Sequence, residues 1–361
     1  MKNNAAQRAS NFQLASQKNG FVSKKIIVIG AGSWGTAIAN LVAQNSSKVF
    51  LSANRLDIVE EINKKNTNQR FLPNIKLSKN IKAIEDFSEE IKTADLVFIV
   101  TPSSSATEIF TKIKQIKLKK NCGFVICSKG FEHNSLMLLS DAFEKTTKIK
   151  NYAVFSGPNF AIEVANQEPS VTTIASRNKK LAREVIEILS NDNFQAHYFK
   201  DPRTAEICGI VKNVIAIGCG IVEGLGLGVN AKSAVVMKGI SEIQALCKKM
   251  KASTDISHAA GFGDIFLTCS STKSRNNSLG VLLARGKSYA QIAKETGQTY
   301  EGEFSASAVC EIAKKLKLQL DLCEEINQIL TRKHSPNKIR TIISKSILTP
   351  SCDGVTDSAT G

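Results

Sequence analysis

Lys25–Val42 reads KIIVIGAGSWGTAIANLV, and its three parts decide the fold. Lys25–Ile29 is a short β-branched run, the composition of a strand buried on both faces. Thr36–Val42 is apolar enough to form a packed helix. Between them, Gly30-Ala31-Gly32-Ser33-Trp34-Gly35 has the spacing GxGxxG. The glycines alone are weak evidence, but strand, glycines and helix in immediate succession form a dinucleotide-binding pattern. Gly30 allows the tight turn, Gly32 lets a pyrophosphate approach the backbone, and Gly35 permits close helix–strand packing. The phosphates would then rest on the positive helix N-terminus. A glycine turn of purely structural purpose is the competing reading.

Outward from this stretch, the chain alternates strands and helices. Lys48–Ser52 is the second strand, and an NAD-only site would carry an acid at its end. Here it reads Ser52-Ala53-Asn54-Arg55, with Asp57 arriving later. Arg55 suits a 2′-phosphate, so NADP is expected alongside NAD; an exposed arginine opening the helix Leu56–Lys65 explains it equally well. Asp95–Val100, Phe124–Cys127 and Tyr152–Phe155 are further strands. They deliver Thr101-Pro102-Ser103, Ser128-Lys129-Gly130 and Ser156-Gly157-Pro158 to one rim, where doubly wound sheets bind ligands. Lys129 is the cation of that rim, against the alternative of a solvated loop lysine. Val171–Ala175, the helix Lys179–Leu189 and the strand Phe194–Tyr198 complete an α/β domain.

From Arg203 the pattern becomes helix after helix. Ala205–Leu225 (AEICGIVKNVIAIGCGIVEGL) is almost wholly apolar, with Gly209, Gly218 and Gly220 leaving room for close packing. Glu206, Lys212 and Glu223 interrupt it and no second apolar span accompanies it, so a core helix is favoured over a membrane span. Lys212 and Asn213 are its polar centre. A buried lysine must find partners or shift its pKa, which is how lysines become acids or bases near neutral pH; snorkelling to solvent is the alternative. Further helices are expected at 230–250, 279–284, 292–296, 305–316 and 339–347, joined by polar loops that include Gly261–Asp264 and Ser274-Arg275-Asn276. Ser-Arg-Asn at a helix start could clamp an anion, or be an ordinary N-cap.

The expected architecture is therefore a Rossmann-type doubly wound α/β domain, residues 24–201, followed by an all-α domain, 202–349. Flexible tails are expected at 1–23 and 350–361. A chain of 361 residues is long enough for two cores. The net charge of +16 comes from scattered lysines, and aromatics are only 6%, so phosphorylated small molecules are expected as partners rather than nucleic acid. Nine cysteines without a CxxC and four dispersed histidines form no metal motif. With no hydrophobic signal region near the N-terminus, a cytoplasmic protein with reduced cysteines and no stable membrane insertion is expected.

The ordered set GAGSWGTAIA, RFLPN (Arg70–Asn74), Thr101-Pro102-Ser103, SKGFE (Ser128–Glu132), SGPNFAIEVA (Ser156–Ala165), CGIVKNVIAIGCGIVEGLGLGVNAK (Cys208–Lys232), GFGDIFLTCSSTKSRN (Gly261–Asn276) and EGEFSA (Glu301–Ala306) resembles the bacterial type of NAD(P)-dependent glycerol-3-phosphate dehydrogenase. The resemblance runs from about Lys25 to Arg332. It implies that Lys212 is the catalytic proton donor or acceptor, and that Asn213, Asp264 and Thr268 line the same pocket. It gives Ser274, Arg275 and Asn276 to the substrate phosphate, Gly157 and Asn159 to the substrate, and Lys129 to substrate and cofactor alike. Ser33, Trp34, Arg55, Ala161, Thr299, Glu301 and again Arg275 would contact NAD or NADP. Asn159 stands where the family usually has Ser or Thr, and Thr299 where it usually has Val. A homodimer through the helical domain, and supply of glycerol phosphate for phospholipid synthesis, are further implications.

The chemistry is coherent by itself. Hydride addition to the carbonyl of dihydroxyacetone phosphate puts negative charge on its oxygen, and a lysine ammonium there stabilises the charge and supplies the proton. Asp264 would favour the charged form of that lysine, and no metal is needed. The rival reading is a 3-hydroxyacid or 6-phosphogluconate type of dehydrogenase, which also carries a lysine–asparagine pair on a central helix. The Ser-Arg-Asn loop favours sn-glycerol 3-phosphate.

Overall fold

The computed structural model describes residues 22–271 and 273–348, which form two compact units. One holds the described residues up to Gly209 together with Asp255–Asp264; the other holds Ile210–Thr254 and the residues from Ile265 onward. The tails expected at 1–21 and 350–361 lie outside the described residues. Val22 and Ser23, expected as tail, instead open the first strand.

The first unit is an eight-stranded sheet of β1 (Val22–Ile29), β2 (Ser46–Ser52), β3 (Ile81–Ile84), β4 (Leu96–Ile99), β5 (Gly123–Ile126), β6 (Tyr152–Ser156), β7 (Ser170–Ala175) and β8 (Phe194–Phe199), in the order 3-2-1-4-5-6-7-8. Its helices are α1 (Ser33–Val42), α2 (Leu56–Lys65), α3 (Ala106–Lys114), α4 (Leu139–Thr147), the short α5 (Ala161–Ala165) and α6 (Lys179–Leu189). Side chains alternate across a strand, so Ile26 and Val28 face one core with α1, α2 and α6, while Ile27 and Ile29 face another with α3 and α4. Helices on both faces explain why these strands read as continuous apolar runs. β1 pairs with β2 on one side and β4 on the other, both parallel, so the chain reverses its direction of travel there.

Two features depart from the sequence reading. β3 was not expected, being four residues, IKAI, that gain strand character by pairing with β2. β7 runs antiparallel to β6, the one such pair among the described strands.

α7 (Pro202–Gly224) begins in the sheet unit and continues into the helical one. It is long and apolar enough to cross a bilayer, with mean hydropathy 1.8, yet the whole apolar window is buried in the fold. The helical unit adds α8 (Gly228–Lys249), α9 (Asp264–Ser270, with Asp264 itself in the sheet unit), α10 (Arg275–Ala284), α11 (Tyr289–Thr296), α12 (Glu301–Lys315), α13 (Asp321–Leu330) and α14 (Ile339–Leu348). Within it, a Cβ on Gly220 of α7 would lie 2.0 Å from the Asn277 carbonyl of α10, so only glycine permits that approach. The stretch 261–264, expected as a polar loop, is instead wound: Ala259–Gly263 forms one wide helical turn leading into α9.

Buried glutamates cap helices from outside. Within the sheet unit, Glu206 accepts the Ser140 N–H (2.9 Å) and hydroxyl at the start of α4. In the helical unit, Glu242 accepts the Leu322 and Cys323 N–H groups of α13 at 2.7 and 3.1 Å. Complete burial is the largest influence on the Glu206 carboxyl and outweighs the Ser140 donors, raising its pKa from 4.5 to about 8. A carboxyl that holds its proton more tightly folded than unfolded loses stability as pH rises. The stabilisation is therefore full below pH 4.5 and fades as pH passes about 8. The wild-type Tm should fall over this window relative to Glu206→Gln, by roughly 2–4 °C per kcal/mol for a chain of this size. A Tm difference that is constant with pH would contradict it.

Candidate active site

At the carboxyl end of β1, Gly30 turns the chain with φ +112°, and a Cβ there would lie 2.8 Å from the Val100 carbonyl. A Cβ on Gly35 would lie 1.8 Å from the Gly30 carbonyl, so α1 can approach β1 only through glycine. Gly32, the N-cap of α1, has nothing within 4 Å of its Cβ direction and offers no side-chain cap. No acidic residue occupies the first turn of α1. This open, uncapped helix start fits a dinucleotide pyrophosphate. Ser33 is exposed and donates to the Phe71 carbonyl at 2.6 Å; Trp34 packs edge-on against Phe155 at 5.4 Å.

One residue the sequence reading missed supports this loop from below. Asn68 is fully buried, and its Nδ2 donates to the Ala31 carbonyl at 3.0 Å and Thr36 Oγ1 at 2.9 Å. It lies 37 residues from Ala31, so local pattern could not pair them. Arg55 precedes α2 and forms a two-point pair with Asp57, Nε–Oδ1 3.0 Å and Nη2–Oδ2 2.7 Å. Both side chains are exposed, so water screens the pair and it is weak.

Beyond the sheet's carboxyl edge, Lys129 Nζ donates to Asp264 Oδ2 at 2.8 Å, with Asp264 1% exposed. Lys129 is thus a paired cation, not a solvated loop lysine. Gly157 sits where a Cβ would meet Thr172 Oγ1 at 2.6 Å. Asn159 Nδ2 donates to the Val171 carbonyl at 3.1 Å, while its Oδ1 is buried without a hydrogen-bond partner. Thr101 Oγ1 and Ser156 Oγ are likewise buried and unpartnered. Orphaned polar atoms at the ends of β4 and β6 are unusual in a folded protein and mark a place where a polar ligand can be satisfied. Ala161 opens α5.

The helical unit holds the second group. Lys212 is 6% exposed and its Nζ donates to Thr268 Oγ1 at 2.9 Å; Asn213 and Thr268 are buried beside it in sequence and space. That burial removes the snorkelling alternative. Ser274 is the N-cap of α10, its Oγ accepting the Asn277 N–H at 3.3 Å, so the N-cap reading of Ser-Arg-Asn is correct as geometry. Arg275, the first residue of α10, is exposed and donates to the Thr299 carbonyl at 3.4 Å. Asn276 is buried and accepts the Gly302 N–H at 3.1 Å. Glu301 begins α12, four residues before the start expected from the sequence. Asn277, absent from the sequence-based set, has a buried Nδ2 without a partner.

Known proteins resemble this chain over most of its length. Residues 25–182 match the family model of the NAD-dependent glycerol-3-phosphate dehydrogenase N-terminus, and residues 201–341 match that of its C-terminus. The chain is 35% identical over 311 residues to glycerol-3-phosphate dehydrogenase (NAD(P)+) of Bacillus subtilis, covering 85% of this chain and 90% of that protein. It is 36% identical over 320 residues to the Francisella tularensis subsp. novicida enzyme of the same name, covering 88% and 96%. The crystal structure of glycerol-3-phosphate dehydrogenase from Coxiella burnetii superposes with a TM-score of 0.83 at 30% identity, covering 91% of this chain and 99% of that one. Matches to both halves, in order and over most of the chain, favour this family over the hydroxyacid type, and the chain belongs to the NAD-dependent glycerol-3-phosphate dehydrogenases.

Proposed function

We propose that this protein reduces dihydroxyacetone phosphate to sn-glycerol 3-phosphate reversibly with NADH or NADPH, as a cytoplasmic enzyme that supplies glycerol phosphate for phospholipid synthesis. The observation that carries the reading is the match of both family models across the two units. A bound reduced nicotinamide supplies the hydride. The glycine loop of Gly30, Gly32 and Gly35 holds the pyrophosphate, with Ser33, Trp34, Arg55, Ala161, Thr299 and Glu301 as further dinucleotide contacts. Lys212 gives its proton to the substrate oxygen and stabilises the charge that grows there. Thr268 takes one ammonium hydrogen and fixes the direction of the side chain. Arg275 and Asn276, at the positive start of α10, hold the substrate phosphate, with Ser274 keeping that helix start in place. The family resemblance also gives substrate contacts to Gly157, Asn159, Lys129 and Asp264 of the sheet unit and to Asn213 of the helical unit. A homodimer is part of the same proposal.

The deciding experiment is NADH or NADPH oxidation on adding dihydroxyacetone phosphate, with 3-hydroxyacids as the control; turnover of the hydroxyacids alone would reverse the assignment. The cofactor preference has its own test. A 2′-phosphate must compete with Asp57 for Arg55, and because that pair is exposed the competition is easy. Arg55→Asp should therefore weaken NADPH by roughly 10-fold or more, from loss of a charge-assisted contact and added repulsion, with little change for NADH. Equal weakening of both cofactors would exclude this role.

A further inference from the structure

The turn Ala259–Gly263, which delivers Asp264, is held at its start by an imidazole. His258 Nδ1 accepts the Gly261 N–H at 3.1 Å, and its ring lies 4.1 Å from that of Phe199 at the end of β8. The Gly261 N–H is shared with the His258 carbonyl at 3.0 Å. The turn has three further ties, Ala260 N–H to Thr173 Oγ1 at 3.0 Å, Phe262 N–H to the Ile256 carbonyl at 2.8 Å and Gly263 N–H to the His258 carbonyl at 3.4 Å. To accept at Nδ1, the neutral ring must carry its hydrogen on Nε2. That Nε2 is buried and makes no hydrogen bond. A buried donor without a partner destabilises a fold. The opposite tautomer would set Nδ1–H against the Gly261 N–H, so the turn is maintained at the expense of Nε2.

We propose that His258 is a positioning residue for the Lys129–Asp264 pair, acting as the Nε2–H tautomer through its Nδ1 cap on Gly261. The inference rests on the dehydrogenase reading above. Gly261 lies inside the one turn that connects the cap to Asp264, and its own angles, φ −92° and ψ −109°, are not helical. Gly261 is pressed against the Ile256 carbonyl, which a Cβ would approach to 2.2 Å. A backbone so placed needs its N–H anchored, and the imidazole at 3.1 Å shares that anchoring with the His258 carbonyl at 3.0 Å.

Protonation puts a hydrogen on Nδ1 and abolishes the cap. Burial keeps the imidazole pKa below its ordinary 6.5, against the opposing carboxylate and carbonyl of Asp255. Asp255 is the charged group that acts on the ring; the strands beside it present Phe199 and Thr173, neither of which titrates in this range. Activity should therefore fall on the acid side with the loss of one neutral imidazole.

Two variants test this. In His258→Asn the amide Oδ1 takes the place of Nδ1 and accepts at any pH from about 5 to 8. In His258→Leu the side-chain acceptor is gone and only the backbone carbonyl of residue 258 still accepts the Gly261 N–H. Wild-type kcat/KM for dihydroxyacetone phosphate should drop about tenfold per pH unit below the imidazole pKa. His258→Asn should keep near wild-type activity at neutral pH and lose that acid limb. His258→Leu should be reduced about 10–100-fold at every pH, as misplacement of site residues predicts, with NADH affinity unchanged. Nitrogen-15 NMR of histidine-labelled wild-type protein should show the Nε2–H tautomer independently of any turnover. A His258→Leu protein with wild-type kcat/KM and an intact acid limb would overturn the proposal, as would an Nδ1–H spectrum. If His258→Leu fails to fold, the persistence of the acid limb in His258→Asn would overturn it equally. A wild-type protein inactive on dihydroxyacetone phosphate would instead remove the dehydrogenase reading, leaving the spectrum to decide the cap.

Discussion

Lys212→Met is expected to fold, to bind NADH as the wild type does, and to lose roughly 10²–10⁴-fold in kcat, the usual contribution of a positioned general acid. The loss grows if the ammonium also stabilises the developing alkoxide electrostatically. Methionine nearly reproduces the length and volume of the lysine stem, and removing a buried charge in favour of an apolar group is often neutral or stabilising. One structural cost falls on Thr268, whose hydroxyl loses the Lys212 donor at 2.9 Å. That costs about 1 kcal/mol, too little to unfold a chain with two cores. The glycine loop lies in the sheet unit, so its NADH affinity reports on folding separately from chemistry. The measurements are kcat, Tm and NADH affinity on one preparation. A folded, NADH-binding variant with near-normal kcat would sink the proposed mechanism. A merely structural lysine would show the reverse pattern, with Tm altered and kcat intact.

Arg275→Lys should raise the KM for dihydroxyacetone phosphate roughly 10–100-fold, the equivalent of one charge-assisted hydrogen bond, while leaving dinucleotide affinity almost unchanged. The positive charge survives, so any loss reports on the planar fork that a phosphate engages at two points. Arg275 is exposed and makes a long contact to the Thr299 carbonyl at 3.4 Å, so its removal disturbs no core. Ser274 still caps the helix, and Asn276 still accepts from Gly302, so α10 keeps its start. An unchanged KM would make Arg275 a surface residue and move phosphate binding elsewhere. Inorganic phosphate as a competitive inhibitor gives a second reading, since its inhibition constant should rise in parallel.

The nucleotide-binding half was legible because its signals are local. KIIVI followed at once by GAGSWG and an apolar helix needs only adjacent residues to be read, and Gly30 and Gly35 sit where backbone meets backbone. The all-helical second unit was legible from the change of period after Arg203, and Lys212 from being the one cation in a long apolar run. Exposed Arg55 was named from sequence, but its engagement with Asp57 depends on the rotamers of two flexible side chains. What depended on tertiary structure is non-local. β3 has too few residues to announce itself and exists through its pairing with β2. The antiparallel β7 follows a connection whose direction no residue pattern encodes. Asn68 reaches the glycine loop across 37 residues, and Lys129 reaches Asp264 across 135. The wound turn at Ala259–Gly263 replaced an expected loop because His258, Thr173 and Ile256 anchor its N–H groups. Propensity and period act over a few residues and can be read along the chain. A hydrogen bond between distant side chains forms only after packing has already chosen which segments are neighbours, and the pairs that orient this site are of that kind.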